Sequence, residues 1–203
     1  MFIPKHYREE DIKTILAFLR ENEFATLVTY DGEKPVASHL LMEVVEEDGD
    51  VTIFGHMSRA NSMWKLLDPN REALVIFQGP HTYISATWYN HVNVPTWNYV
   101  SVHAYGQPEL VTDHDEVYAL LSRLVKRHEG ATEYRMERLP QDFVEKEIKG
   151  VVAFKVDVTR LEAAYKLSQN RNDEDYQNII IELERRGDDL SAGVAEAMRQ
   201  NRA

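Results

Sequence analysis

Between Phe24 and His56 the sequence runs FATLVTY, DGEKP, VASHLLMEVVEE, EDGD and VTIFGH. Three β-type segments are separated by Asp- and Gly-rich turns of only a few residues. Parallel neighbours need a long crossover, so connections this short fix an antiparallel meander. Further segments extend it. EALVIFQG and HTYISA predict two strands that meet at Gly79-Pro80. WNYVSVHAYG predicts another, which Pro108 ends or marks as an edge. GVVAFKVDVTRLEAAY (150–165) predicts the last, with Val152, Phe154 and Val156 alternating against Ala153 and Lys155. Six or seven antiparallel strands with few helices between them predict a small barrel rather than a βαβ sheet, and a mainly β class with helices (α+β).

The helices sit around this frame. REEDIKTILAFLREN (8–22) carries Ile12, Ile15, Leu16 and Leu19 at helical spacing. Ser58 stands as the N-cap of a short helix over 59–67, closed by Asp68-Pro69. DHDEVYALLSRLVKRH (113–128) places Val117, Leu120, Leu121 and Leu124 on one side. Near the end come DEDYQNIIIELERRG, with Asp173 as its N-cap, and DLSAGVAEAMRQ. No internal repeat or low-complexity linker divides the chain. The expected organisation is a barrel domain over 1–160 and a C-terminal helical extension over 161–203 packed on it.

Composition narrows the function classes. With 203 residues, 43% hydrophobic and 28% charged, the chain suits one globular domain with an appendage. No apolar run is long enough for a membrane span, and the opening MFIPKHYREEDIK lacks the apolar stretch of a signal peptide, so a cytoplasmic protein is expected. The absence of cysteine removes disulfides, thiolate catalysis and cysteine metal sites. A net charge of −11 argues against a protein that grips the DNA backbone, because phosphate contacts call for a basic face.

Three segments carry the candidate chemistry. GHMSRAN (55–61) leads from a strand end into a helix start, where N–H groups and an arginine suit a phosphate; for the motif alone, an ordinary N-cap with a solvated arginine is the better explanation. In VPTWNYVSVHAYG (94–106), alternation puts Trp97, Tyr99, Ser101, His103 and Tyr105 on one strand face, with Asn98, Val100, Val102 and Ala104 on the other. The valine face suits the core. The aromatic face therefore needs a second surface: a partner subunit, a flat ligand or the C-terminal helices. KLSQNRNDEDY (166–176) gathers Lys166, Gln169, Asn170 and Arg171 between a strand and a helix. The eight histidines show no HxH or HExxH spacing, so no metal site is expected, and His39 and His56 can project from neighbouring strands. No GxSxG elbow, P-loop or GxGxxG is present, and no catalytic residue can be named.

The combination of PKHY, GHMSRANSMW, YISATWY, VPTWNYVSVHAYG and KLSQNR, in this order, resembles the PaiB family of FMN-binding negative transcriptional regulators. The resemblance implies a flavin-type split barrel, a homodimer, and FMN in a groove at the dimer interface. It implies repression of sporulation and extracellular protease production, directly on promoter DNA or through a protein partner or metabolism. The alternative it leaves open is an FMN-dependent oxidoreductase of the flavin reductase or pyridoxamine-phosphate-oxidase-like type. Carried over residue by residue, His56, Arg59 and Asn61 would hold the phosphate, while His39, Leu40 and Leu41 would run along the isoalloxazine. Trp88, Trp97 and Asn98 would shape the pocket from the partner subunit, and Lys166 and Gln169 would close it. One departure is Ala86-Thr87, where the family pattern has a proline after Ser85; losing that ring implies a looser loop.

Overall fold

The computed structural model describes residues 1–202. Its strands are β1 (Arg8–Glu9), β2 (Phe24–Tyr30), β3 (Pro35–Glu47), β4 (Asp50–Ser58), β5 (Ala73–Ile84), β6 (Thr96–Val111) and β7 (Val151–Lys166). They form one seven-stranded sheet in the order β1-β7-β4-β3-β2-β5-β6, and an added pairing of β7 with β6 closes the order into a ring. The fold is α+β, with the antiparallel meander β2-β3-β4 as predicted: Leu27 faces Ser38 across one pair and Val44 faces Ile53 across the next. The turn between β3 and β4 puts Asp48 at φ 53° and Gly49 at φ 92°. Two successive positive φ values match the twist of the flanking strands, which is why Asp-Gly works there.

Two strand boundaries differ from the sequence expectation. Gly79-Pro80 does not separate two strands; both lie inside β5. Ala73, Val75, Phe77 and Gly79 point inward, and the inward set then resumes at Thr82 and Ile84. That one-residue change of phase is how a strand absorbs a proline without breaking. Gly79 is required by its neighbour, since a Cβ there would lie 2.5 Å from Cε2 of Phe18. Likewise β6 continues through Pro108 to Val111. Its alternation holds: Asn98, Val100, Val102 and Ala104 are buried, while Trp97, Tyr99, Ser101, His103 and Tyr105 are half-buried or exposed.

The contacts fall into two compact units. One comprises Glu23–Ile76 and Ala104–Leu161. Leu27, Met42, Ile53, Val75, Phe154 and Val156 fill its inner layer. An outer layer covers the other side of the strands with α2 (His114–His128) and α3 (Gln141–Lys149). There Val117, Leu120, Leu124, Val144 and Ile148 close over Ala153, with Leu41 and Phe54 at the margin. Ala153 is buried for that reason, although it alternates against the core residues of β7. Each fully buried aliphatic side chain of this kind contributes roughly 1.5–3 kcal/mol. The sequence reading contains no counterpart of α3, because only two of its residues are buried and its length is barely two and a half turns.

The other unit comprises Met1–Asn22, Phe77–His103 and the chain from Glu162 onward. Here α1 spans Ile12–Glu21, shorter than the predicted 8–22, because Arg8 and Glu9 pair with Ala164 and Ala163 of β7. Asp11 caps α1 through Thr14 N. Ile12 stands exposed and Phe18 takes the core position beside Ile15, Leu16 and Leu19. The C-terminal segments form α4 (Asp173–Arg186) and α5 (Asp189–Asn201). Asn172, not Asp173, caps α4, receiving Asp175 N at 2.8 Å. Tyr176, Ile179, Leu183, Val194 and Met198 seal these helices into the unit.

Gly106 shows how tightly the strands meet. A Cβ on it would lie 2.2 Å from the carbonyl oxygen of Asp157, a backbone atom that cannot rotate away. Gly106→Ala should therefore cost about 2 kcal/mol or more, as overpacking does. Chemical denaturation would measure it, and an unchanged midpoint would show that β6 and β7 can separate without cost.

Candidate functional site

At the start of β2, the middle of β3 and the end of β4, within the first unit described, lies a groove of about 460 Å³. Phe24, His39, Leu40, Leu41, His56 and Ser58 form its strand side, and Glu147, Gly150 and Val151 form the side from the α3–β7 junction. Pairing explains the assembly. Phe24 lies opposite Leu41 and Thr26 opposite His39, so the exposed face of β2 adjoins the same face of β3. Thr26 Oγ1 lies 2.9 Å from His39 Nδ1, fixing the imidazole, and the ring of Phe24 stacks on it at 6.2 Å and 29°. Phe24 remains 70% exposed, an uncommon position for a phenylalanine beside a groove.

His56 projects from β4 into this groove, and its Nδ1 is buried with no hydrogen-bond partner. Burial pulls its pKa below the ordinary value, so the ring is neutral at neutral pH. A buried, neutral imidazole nitrogen without a partner, on a residue that lines a groove, leaves one polar atom to be satisfied there. Ser58 closes the strand with an exposed side chain; its Oγ accepts from Ala60 N at 3.3 Å, which leaves the hydroxyl proton to donate.

The segment after Ser58 departs from expectation. The helix is a five-residue 3-10 turn, Ser62–Leu66, and its cap is Asn61 rather than Ser58. Asn61 Oδ1 accepts from Met63 N at 3.1 Å and its Nδ2 donates to Ser38 Oγ at 3.0 Å, so both ends of the amide serve the fold. Arg59 Nε donates to Lys149 O and its Nη2 to Val151 O, each at 2.8 Å, while its backbone N–H donates to Gly150 O. One edge of the guanidinium is therefore a clamp on the α3–β7 junction. Only Nη1 has no hydrogen-bond partner among the described residues, so the positive charge flanks the groove with one donor to offer.

Of the eleven residues singled out in the sequence, His39, Leu40, Leu41 and His56 come together in this groove, with Arg59 and Asn61 next to it in the chain. The other five lie in the second unit. Trp97 is 47% exposed and stacks on His81, with Tyr83 at its edge. Trp88 lies under the Arg186 guanidinium. Asn98 is fully buried, exchanging hydrogen bonds with Ser168 Oγ at 3.0 and 3.1 Å. Lys166 Nζ donates to Thr96 Oγ1, and Gln169 receives Leu167 N and donates to Tyr165 O, bracing its own turn. Ala86 opens a 3-10 turn, Ala86–Trp88, whose cap Ser85 accepts from Thr87 N, the first helical position where a proline is also accommodated. Sequence reasoning missed Phe24, although alternation already put it on the outer face with Thr26, opposite to Ala25 and Leu27. It had no route to Glu147, Gly150 and Val151.

Residues 1–160 match a protein-family model described as "Putative FMN-binding domain". The chain belongs to this family. Along nearly its whole length it is also 38% identical over 200 residues to a Bacillus subtilis (strain 168) protein named "Protease synthase and sporulation protein PAI 2", covering 98% of this chain and 96% of that one. Two solved structures share the fold. The flavocytochrome Anf3 of Azotobacter vinelandii is 20% identical, with a TM-score of 0.64 over 86% of this chain and 78% of its own. An FAD and heme binding protein of Mycobacterium smegmatis is 17% identical, with a TM-score of 0.61 over 84% and 79%. The PaiB resemblance and the split-barrel fold are thereby shown. Among the described residues no group of three or more histidine or carboxylate side chains is placed to hold a metal, and no helix is long and apolar enough to cross a membrane.

The residues present fit a flavin mononucleotide: an exposed aromatic plane for a flat ring, an unpartnered buried imidazole nitrogen for a polar ring edge, and a serine beside an arginine for an anionic group. The His56 shift also has a sign that can be checked. Its folded pKa lies below the ordinary 6.5, so its contribution to stability is whole above that value and shrinks as pH falls through the lowered one. The stability gap between wild type and His56→Gln should narrow on going from neutral pH to about pH 5. Denaturant titrations at the two pH values measure it, and a gap that widens on acidification would mean the ring is held protonated.

Proposed function

We propose that this protein binds FMN in the groove between Phe24, His39 and His56, with its phosphate toward Ser58 and Arg59. In this reading it acts as a flavin-dependent negative regulator of sporulation and protease production, the two processes that appear in the name of its Bacillus relative. The observation that carries the reading is the unpartnered Nδ1 of His56 in a groove walled by an exposed phenylalanine, inside the residues that match the FMN-binding family. Bound FMN supplies electron-transfer chemistry. The chain's own part is to orient it: His39 is fixed by Thr26, His56 offers a neutral nitrogen, and Arg59 holds the groove wall while presenting charge. The net charge of −11 favours regulation through a partner or through metabolism over direct operator binding. The protein is taken to act as a homodimer, with the exposed Trp97 and Tyr83 as subunit surface.

FMN titration tests the reading. Arg59→Ala should weaken FMN by about 1.5–3 kcal/mol, the worth of a charged hydrogen bond. Arg59→Lys should recover only part of it, because a lysine cannot reproduce the fork to Lys149 O and Val151 O. Flavin fluorescence quenching and the FMN-induced rise in Tm report both. Unchanged affinity in Arg59→Ala would place the phosphate elsewhere, and a wild type whose Tm ignores FMN would end the flavin reading. Turnover of NAD(P)H by the yellow protein with an added acceptor would favour the oxidoreductase alternative instead.

A further inference from the structure

In the unit that contains the C-terminal helices, the turn after β7 holds two cations with no carboxylate partner. Lys166 Nζ has one hydrogen-bond acceptor, Thr96 Oγ1 at 2.6 Å, and lies 6.0 Å from the centre of the Tyr7 ring. The Arg171 guanidinium rests 4.9 Å from the centre of the Tyr89 ring and makes neither a hydrogen bond nor an ion pair among the described residues. The Tyr7 hydroxyl donates to Asn170 Oδ1 at 3.4 Å, beside Arg171 in the same turn, and Arg171, Tyr89 and Tyr99 each influence its phenol electrostatically. Tyr89 is 8% exposed, and its hydroxyl is buried with no hydrogen-bond partner. Leaving a buried hydroxyl without a hydrogen bond costs on the order of 1–3 kcal/mol, so its place here calls for a polar partner, and two uncompensated cations beside it point to an anion.

We propose that Lys166, Arg171 and the hydroxyls of Tyr7, Tyr89 and Tyr99 form a binding site for a small dianionic oxyanion of the phosphate class. Two uncompensated cations match two negative charges, and an oxyanion only accepts hydrogen bonds, which is what an ammonium, a guanidinium and phenols supply. Burial and the neighbouring Arg171 hold the Lys166 pKa below its ordinary value. A dianion relieves that strain. Tyr7, Tyr89, Tyr99 and Arg171 lie inside the motifs that carry the family resemblance but are not among the residues it assigns to FMN, whereas Lys166 is; none of the five lines the groove of Phe24, His39 and His56.

The test is isothermal titration of the purified full-length protein, with and without added FMN, using inorganic phosphate and phenyl phosphate as probes against a chloride background. Wild type should bind both saturably. Tyr89→Phe should weaken binding about tenfold or more, with a Tm in the absence of phosphate that is unchanged or higher, since the lost hydroxyl had no protein partner. Lys166→Met with Arg171→Met should abolish binding, with circular dichroism confirming the fold. Tighter binding of phenyl phosphate identifies a phosphate ester as the ligand; equal binding identifies free phosphate. Unsaturable wild-type binding, or Tyr89→Phe binding as tight as wild type, overturns the proposal. So does loss of FMN from the double variant, which would assign the cations to flavin rather than to a second ligand.

Discussion

The candidate groove depends on what Arg59 does at the end of β4. Its backbone N–H and two guanidinium nitrogens reach three consecutive carbonyls, Lys149, Gly150 and Val151, and so tie the strand end to the junction where α3 becomes β7. Glu147, Gly150 and Val151 are one wall of the groove because of that tie. A guanidinium suits this task better than an ammonium, since its planar fork addresses two acceptors at once while the charge stays delocalised and exposed. The same residue then serves the wall and the electrostatics, so structure and affinity are coupled through one side chain.

The opposite wall rests on ordinary strand pairing. With Thr26 opposite His39 and Phe24 opposite Leu41, the face of the sheet turned from the inner core becomes the groove face. Leu41 and Phe54 farther along that face are covered by α2 and α3, whereas Phe24 and His39 are not. The Arg123 fork onto Glu43, at 2.7–3.0 Å, holds α2 where that cover ends. An aromatic left exposed just past a covered apolar layer is what a ligand-binding edge looks like in physical terms.

Much of this was legible in the residues. Alternation and Asp-Gly turn chemistry were enough for the meander, for the division of β6 into a valine face and an aromatic face, and for α2. The readings that failed did so for tertiary reasons. Gly79-Pro80 looks like a break, yet the close approach of Phe18 requires the glycine and a shift of phase accommodates the proline. Ser58 and Asp173 look like caps, but the neighbouring Asn61 and Asn172 take the role, a difference of a few residues that side-chain chemistry alone does not resolve. The motif GHMSRAN reaches the groove not as a helix start but as a strand end clamped by an arginine. Phe24 was within reach of the alternation argument, while the α3 side of the groove was not, because α3 itself has too few apolar positions to show a period.

The claim on which the account stands is that FMN lies against His39 and His56. Imidazole ¹⁵N shifts followed through an FMN titration address it directly, with the two rings assigned from His39→Gln and His56→Gln. The account predicts that the His56 Nδ1 resonance moves to a hydrogen-bonded value as FMN saturates, together with His39, while His81 and His114 stay in place. Saturation of FMN binding with an unmoved His56 would contradict it.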